Sequence, residues 1–305
     1  MADKESFGLK GRTVVVTGAG GGLGREHALL FAKYGANVVV NDLGGKPDGT
    51  GKSTSMADHV VDEIKAAGGK AVANYDSVSD KAGAENMIKA AVDTFGSIDI
   101  LINNAGILRD KSFSNMEESD WDAVMAVHVK GAYYCTRAAW PRMREQKFGR
   151  IIMTSSASGI YGNFGQSNYS AAKNALIGLG QTLALEGEKY NVRTNIIAPV
   201  ALSRMTESLM PAFVHQFIKP EYVAPLVVFL CSEKCDANGE VYEVGAGAFC
   251  RVETLRSKGY RVKPDGEITV EQVADHWKEI NDMTDAELLR TIGESTQSTM
   301  KHCMS

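Results

Sequence analysis

The chain has 305 residues, of which 44% are hydrophobic and 23% charged, enough apolar content for a sizeable core. A net charge of −4 and a pI near 5.9 exclude a protein built for nonspecific nucleic-acid binding. No apolar run approaches the ~20 residues of a membrane-spanning helix, and MADKESFGLKG at the N-terminus lacks the features of a secretory or transit signal.

Arg12 to Thr17 is a β-branched run ending in glycines, as a buried parallel strand should be. The turn Thr17-Gly18-Ala19-Gly20-Gly21-Gly22-Leu23-Gly24 follows, and then a helical segment to about Tyr34. A strand, a glycine turn and a helix N-terminus together make an anion site. Backbone N–H groups point outward, and missing side chains let a pyrophosphate approach. Gly18, Gly22 and Gly24, with Leu23 between them, are the candidate cradle.

The next strand, Asn37 to Asp42, ends on a carboxylate 18 residues after Gly24. That is where a dinucleotide fold holds the adenosine ribose, and a carboxylate there repels a 2′-phosphate, so NAD is the expected cofactor. Leu43 to Thr54 is a polar, glycine-rich loop expected to be mobile; its GKST lacks the upstream glycine of a phosphate-binding P-loop. Helix 55–67, strand 70–74 and helix 80–95 come next. Asp76, Ser77 and Val78 are placed to meet the adenine.

Ile98 to Asn103 is a fourth strand, closed by Asn104-Ala105-Gly106, small residues against which a cofactor can lie. Residues 117–144 read as largely helical and include His128. A fifth strand, 149–155, delivers Ser156 at its carboxyl end. Helical spacing from Gln166 places Tyr169 and Lys173 one turn apart on one face. A free tyrosine titrates near about 10; an ammonium beside it favours the phenolate, which then serves as acid/base on an alcohol or carbonyl. Ser156 is placed to hydrogen-bond the same substrate oxygen.

A sixth strand, 192–197, is ended by Ala198-Pro199, and a seventh, 240–244, follows helix 221–231. Between them, residues 200–219 are Met- and Phe-rich; a flexible lid over an apolar substrate fits, and a plain packed amphipathic helix fits almost as well. The alternation predicts an α/β fold with a doubly wound parallel sheet, Rossmann-type, of about seven strands, over residues 1–248. Residues 249–305 depart from it. Capping-box spacings at Thr269–Gln272 and Thr284–Glu287 predict two helices in a helical C-terminal extension. The five cysteines form no Cys-x-x-Cys pair; Cys231 and Cys235 are expected to be buried thiols, with no metal site.

Taken together, Thr17-Gly-x-x-x-Gly-x-Gly24, Asp42, Asp76, Asn103-Asn-Ala-Gly106, Ser156, Tyr169 and Lys173 resemble the short-chain dehydrogenase/reductase family. NDLGG at 41–45, NNAGILRDKSF at 103–113 and KPEYVAPLVVFLC at 219–231 are similar to its peroxisomal (3R)-hydroxyacyl-CoA dehydrogenase branch. The resemblance implies that Tyr169 is the acid/base and that Lys173 holds the phenolate and the nicotinamide ribose. It gives Pro199 to the nicotinamide side and an acyl-CoA substrate to Ser156 and Tyr169. It implies a homodimer, a peroxisomal setting, and a unit fused to or excised from a multidomain enzyme with a hydratase domain. The C-terminal Cys-Met-Ser is not a Ser-Lys-Leu import address. A 17β-hydroxysteroid or other secondary alcohol is the rival substrate, and a non-enzymatic dinucleotide-binding scaffold the rival class. Two positions depart from the family pattern. His128 stands where most members have an Asn that holds a water on a proton path, and Leu202 stands where the branch has Gly.

Overall fold

A computed structural model describes residues 7–201, 212–262 and 266–303. Leu202 and most of the Met-rich stretch, including Met205, Leu209 and Met210, lie outside the described residues. The described chain divides into two compact units, residues 1–251 and 252–305.

The first unit is a single sheet with helices on its faces. Its strands are β1 (Thr13–Thr17), β2 (Asn37–Asn41), β3 (Lys70–Asn74), β4 (Ile100–Asn103), β5 (Gly149–Thr154), β6 (Val192–Val200), β7 (Val241–Gly245) and β8 (Ala248–Val252). Their order is β3-β2-β1-β4-β5-β6-β7-β8, and every pairing from β3 to β7 is parallel. The sheet thus has eight strands where about seven were expected. The eighth follows β7 after Ala246-Gly247, and it carries the sheet past residue 248.

The helices are α1 (Gly22–Lys33), α2 (Ser55–Ala66), α3 (Lys81–Phe95), α4 (Glu118–Met125), α5 (Gly131–Glu145), α6 (Ala157–Tyr161), α7 (Ser167–Gly187), α8 (Ala212–His215) and α9 (Ala224–Leu230). Strands β1, β2, β4 and β5 are almost continuously buried because helices cover both faces, which is why they read as unbroken Val/Ile runs. The core gathers Val14, Val16, Phe31, Val38, Val40, Ile100 and Ile102 at 0% exposure. The chain turns one way from β1 to β2 and the other way at β4, so a crevice opens at the carboxyl ends of β1 and β4.

The predicted helix over 117–144 is interrupted. Between α4 and α5 the backbone forms a π-helical turn, Ala126–Lys130, with His128 in it.

The second unit holds α10 (Val270–Asp275), α11 (Trp277–Ile280), α12 (Ile292–Met300) and an antiparallel pair, β9 (Leu255–Arg256) with β10 (Glu287–Leu288). Thr269 caps α10 through a reciprocal bond with Gln272, as its spacing predicts. Thr284–Glu287 is not a helix start. Asp282 accepts from the Thr284 amide (2.9 Å), and Glu287 is drawn into β10 by Arg256 (2.9 Å). The third helix is instead capped by Thr291 and Glu294.

Candidate active site

The glycine turn is built by close contact. A Cβ on Gly24 would lie 2.2 Å from the Gly18 carbonyl oxygen and 2.7 Å from Asn104 Nδ2, so only glycine lets α1 start this near β1. Asn104 clamps the turn from β4, donating to the carbonyls of Thr17 (3.0 Å) and Gly18 (3.2 Å). Thr17 answers: its hydroxyl donates to Ile102 O (3.1 Å) and accepts from the amides of Asn104 (3.0 Å) and Ala105 (3.1 Å).

Asp42 sits just past β2. Its carboxylate accepts from the amides of Gly20 and Gly44, both at 2.7 Å. The turn, the β2 end and the following loop are therefore joined through one side chain. Asn41 and Asn74 continue the rim: Asn41 Nδ2 donates to Asn74 Oδ1 (2.8 Å), and Asn74 Nδ2 to Asp76 (2.7 Å). This amide ladder went unnoticed in the sequence, where two asparagines at strand ends look like ordinary turn residues.

These groups surround an open cavity of about 260 Å³. Gly18, Gly22, Leu23, Asp42, the Asp76–Val78 stretch and the Asn104–Gly106 stretch all line it. Gly24 lies beneath the turn rather than on the wall. Pro199 stands inside β6, paired with Val244, and is not on the wall. The closely packed glycine turn, the helix start and the acceptor at the β2 end fit a dinucleotide.

The acid/base group lies on α7. Tyr169 and Lys173 are one turn apart, with the Lys173 ammonium 5.4 Å from the phenol ring centre. Ser156 is the N-cap of α6, and its oxygen accepts from Ser158 N (3.2 Å). Its own proton is thereby left free to face the Tyr169 oxygen, where it favours the phenolate. Helix α6 reaches Lys173 because Gly159 has no side chain: a Cβ there would lie 2.7 Å from Lys173 Cβ. Lys173 is 3% exposed and donates to Thr154 O (2.6 Å).

The electrostatics depart from the sequence expectation. Burial pushes the Tyr169 phenol up to about 12; the Ser156 bond opposes this, and the Asp110 charge adds to it. Lys173 does not overcome that burial, for burial pushes its own ammonium down to about 7.

His128 is 2% exposed. Its Nε2 lies 2.9 Å from the Ile107 carbonyl oxygen and 3.1 Å from the Ile107 amide nitrogen. A single ring nitrogen can serve only one of the two at a time. Its ring meets Tyr169 edge-on, with centres 5.3 Å apart. Burial, then the Lys173 charge, push it down to about 3, so it is neutral at physiological pH.

Cys135, Cys231 and Cys235 are buried thiols. Among the described residues no helix is long and apolar enough to cross a membrane.

The short chain dehydrogenase family matches residues 12–213, a span that holds the glycine turn, Asp42, Ser156, Tyr169 and Lys173. The chain is 56% identical over 287 residues to mouse peroxisomal multifunctional enzyme type 2, covering 94% of this chain and 39% of that protein. It is 55% identical to peroxisomal multifunctional enzyme A of Dictyostelium discoideum, covering 90% of this chain and 61% of that one. A short-chain type dehydrogenase/reductase of Mycobacterium tuberculosis is 52% identical, with 92% of this chain and 98% of that protein covered. The structure of full-length multifunctional enzyme type 2 from Drosophila melanogaster superposes with a TM-score of 0.82 at 45% identity, over 97% of this chain and 50% of that one. The chain therefore spans less than two thirds of the multifunctional relatives. With the glycine cradle, the acidic β2 end and the Ser-Tyr-Lys group on one parallel sheet, and a match over most of its length, the chain belongs to the short-chain dehydrogenase family, whose cofactor is a nicotinamide dinucleotide.

Proposed function

We propose that the chain oxidises a (3R)-3-hydroxyacyl-CoA to the 3-ketoacyl-CoA with NAD, in peroxisomal fatty-acid oxidation. The observation that carries this reading is the meeting of Ser156, Tyr169 and Lys173 at the carboxyl ends of β5 and β6, in a chain similar to multifunctional enzymes over more than nine tenths of its length.

In this mechanism the Tyr169 phenolate takes the hydroxyl proton of the substrate. Ser156 holds the substrate oxygen with the proton that its Ser158 contact leaves available. Lys173 is anchored on Thr154 O, so its charge is held close to the phenol. His128 is a positioning residue: it ties the Ile107 backbone, part of the cavity wall, to the edge of Tyr169. A bound oxidised nicotinamide supplies the hydride acceptor and a positive charge that favours the phenolate. The Asp42 carboxylate favours NAD, because a 2′-phosphate would bring like charge against it. A homodimer is proposed on the family resemblance alone.

The test is NADH formation by the purified chain with matched (3R)- and (3S)-3-hydroxyacyl-CoA, repeated with NADP. Turnover of the R isomer alone, with NAD preferred, is the expected result. Turnover of neither isomer, with NADH binding demonstrated, would move the substrate to a steroid or small secondary alcohol. Faster turnover with NADP would remove Asp42 as the discriminating group.

A further inference from the structure

The loop between β2 and α2 has its own architecture. At its base the Ser53 amide donates to Leu43 O (3.1 Å). Near its tip Lys46 N donates to Thr50 O (2.7 Å) and Gly49 N to Lys46 O (2.9 Å). The Asp48 carboxylate accepts from the Thr50 amide (2.9 Å) and hydroxyl (2.7 Å). Gly44, Gly49 and Gly51 take φ of +73°, +87° and +81°, values that glycine adopts without strain. A chain segment with close ends and internal bonding of this kind is an Ω-type loop.

The tip does not stay on its own side of the cavity. The Pro47 carbonyl accepts from Leu108 N (3.0 Å), and the Asp48 carbonyl accepts from Arg109 Nε (3.1 Å). Gly49 sits against Ile107, where a Cβ would be 3.2 Å from Cδ1. Pro47 and Gly49 line the same cavity as Asp42 on one side and Ile107 on the other. The loop therefore runs from the end of β2 to the segment after β4, across the opening.

We infer that residues 44–53 form a strap over the dinucleotide pocket, and that its tip must lift from Leu108 and Arg109 for the cofactor to enter or leave. The inference rests on the reading of this cavity as the dinucleotide site. The strap is built to move as a unit. Its base is fixed by the Asp42 carboxylate, through Gly44, and by Ser53, whereas its tip is latched by two hydrogen bonds to backbone carbonyls. Asp42 also holds Gly20 in the glycine turn, so the strap's root and the pyrophosphate cradle share one anchor.

Stopped-flow NADH fluorescence with the full chain tests this, comparing the unaltered protein with a deletion of Pro47–Gly49 and with Arg109→Ala. In the deletion both the association and the dissociation rate should rise at least about fivefold, the factor that one lost hydrogen bond gives. The equilibrium constant should change much less than either rate. Arg109→Ala keeps the whole loop and should move both rates in the same direction by less, which secures the test if the deletion fails to fold. Unchanged rates in Arg109→Ala, or faster release with unchanged association, would make the loop a fixed wall and overturn the strap. Failure of the unaltered chain to bind NADH would instead overturn the dinucleotide reading.

Discussion

Burial restrains the chemistry of both Tyr169 and Lys173. A phenol pushed up to about 12 is a weak base near neutrality, and a lysine pushed down to about 7 is only partly charged there. Alcohol oxidation needs the phenolate, so its kcat/KM should climb as pH rises above neutrality, while ketone reduction, which needs the phenol, should not. A flat oxidation profile from pH 6 to 9 would count against Tyr169 as the base. Tyr169→Phe should lower kcat/KM by about 10²–10⁴-fold, the span of acid/base catalysis, and leave NADH affinity nearly unchanged. Retained turnover in that variant would remove Tyr169 from the mechanism. The identities of these residues were legible in the sequence because their spacing is local: four residues on a helix, or a position just past a strand. Their ionisation was not, because it depends on how deeply α7 packs, and no spacing encodes that.

At the scale of elements, the junction of β1 and α1 is the least forgiving. Gly24→Ala would drive a methyl into the Gly18 carbonyl, with Asn104 and Ala19 behind it, all but one of them backbone atoms that cannot turn aside. A loss of about 1–3 kcal/mol, the range for overpacking, is expected, together with weakened NADH binding. Gly21→Ala is the control, since its Cβ would meet only the mobile end of Met56, at 3.5 Å. Equal melting temperatures for the two variants would refute the close-approach argument. The strands were readable for a physical reason: parallel strands covered on both sides need apolar, β-branched residues throughout. Thr284–Glu287 shows the opposite case. Its capping-box spacing is genuine, yet Arg256 competes for Glu287 through a contact 31 residues away in sequence. The strap's crossing to Leu108 and Arg109 is equally invisible in a linear reading, because both ends of each bond are ordinary loop residues.

For the whole molecule, two buried imidazoles add to the response to acid. His27 is fully buried, neither of its ring nitrogens has a hydrogen-bond partner among the described residues, and burial pushes it down to about 3. His128 is pushed down to a similar value. Both ordinarily titrate near about 6.5 in an unfolded chain. Above that pH neither state binds the proton, and the groups contribute no pH dependence. Below it the unfolded chain takes up protons that the folded one refuses, so stability falls as pH drops from 6.5 towards 3. At pH 5 each group accounts for about 2 kcal/mol of that loss. His27→Leu should therefore gain about 2 kcal/mol more over the parent at pH 5 than at pH 8 in urea unfolding. The same gain at both values would show that His27 is not the titrating group. The parallel sheet and its covering of helices follow from the alternation of strand and helix in the sequence; the π turn at 126–130 does not, since no residue type marks it. That turn carries one residue more than an α-helix of equal rise, and one residue is about 100° of rotation. Rows of side chains before and after it are therefore out of phase. The α4 half aligns with α7, the helix of Tyr169, while the α5 half aligns with α3 and the sheet. Removing a single residue there would bring the two halves into step, and one of the two surfaces would then have to lose its fit.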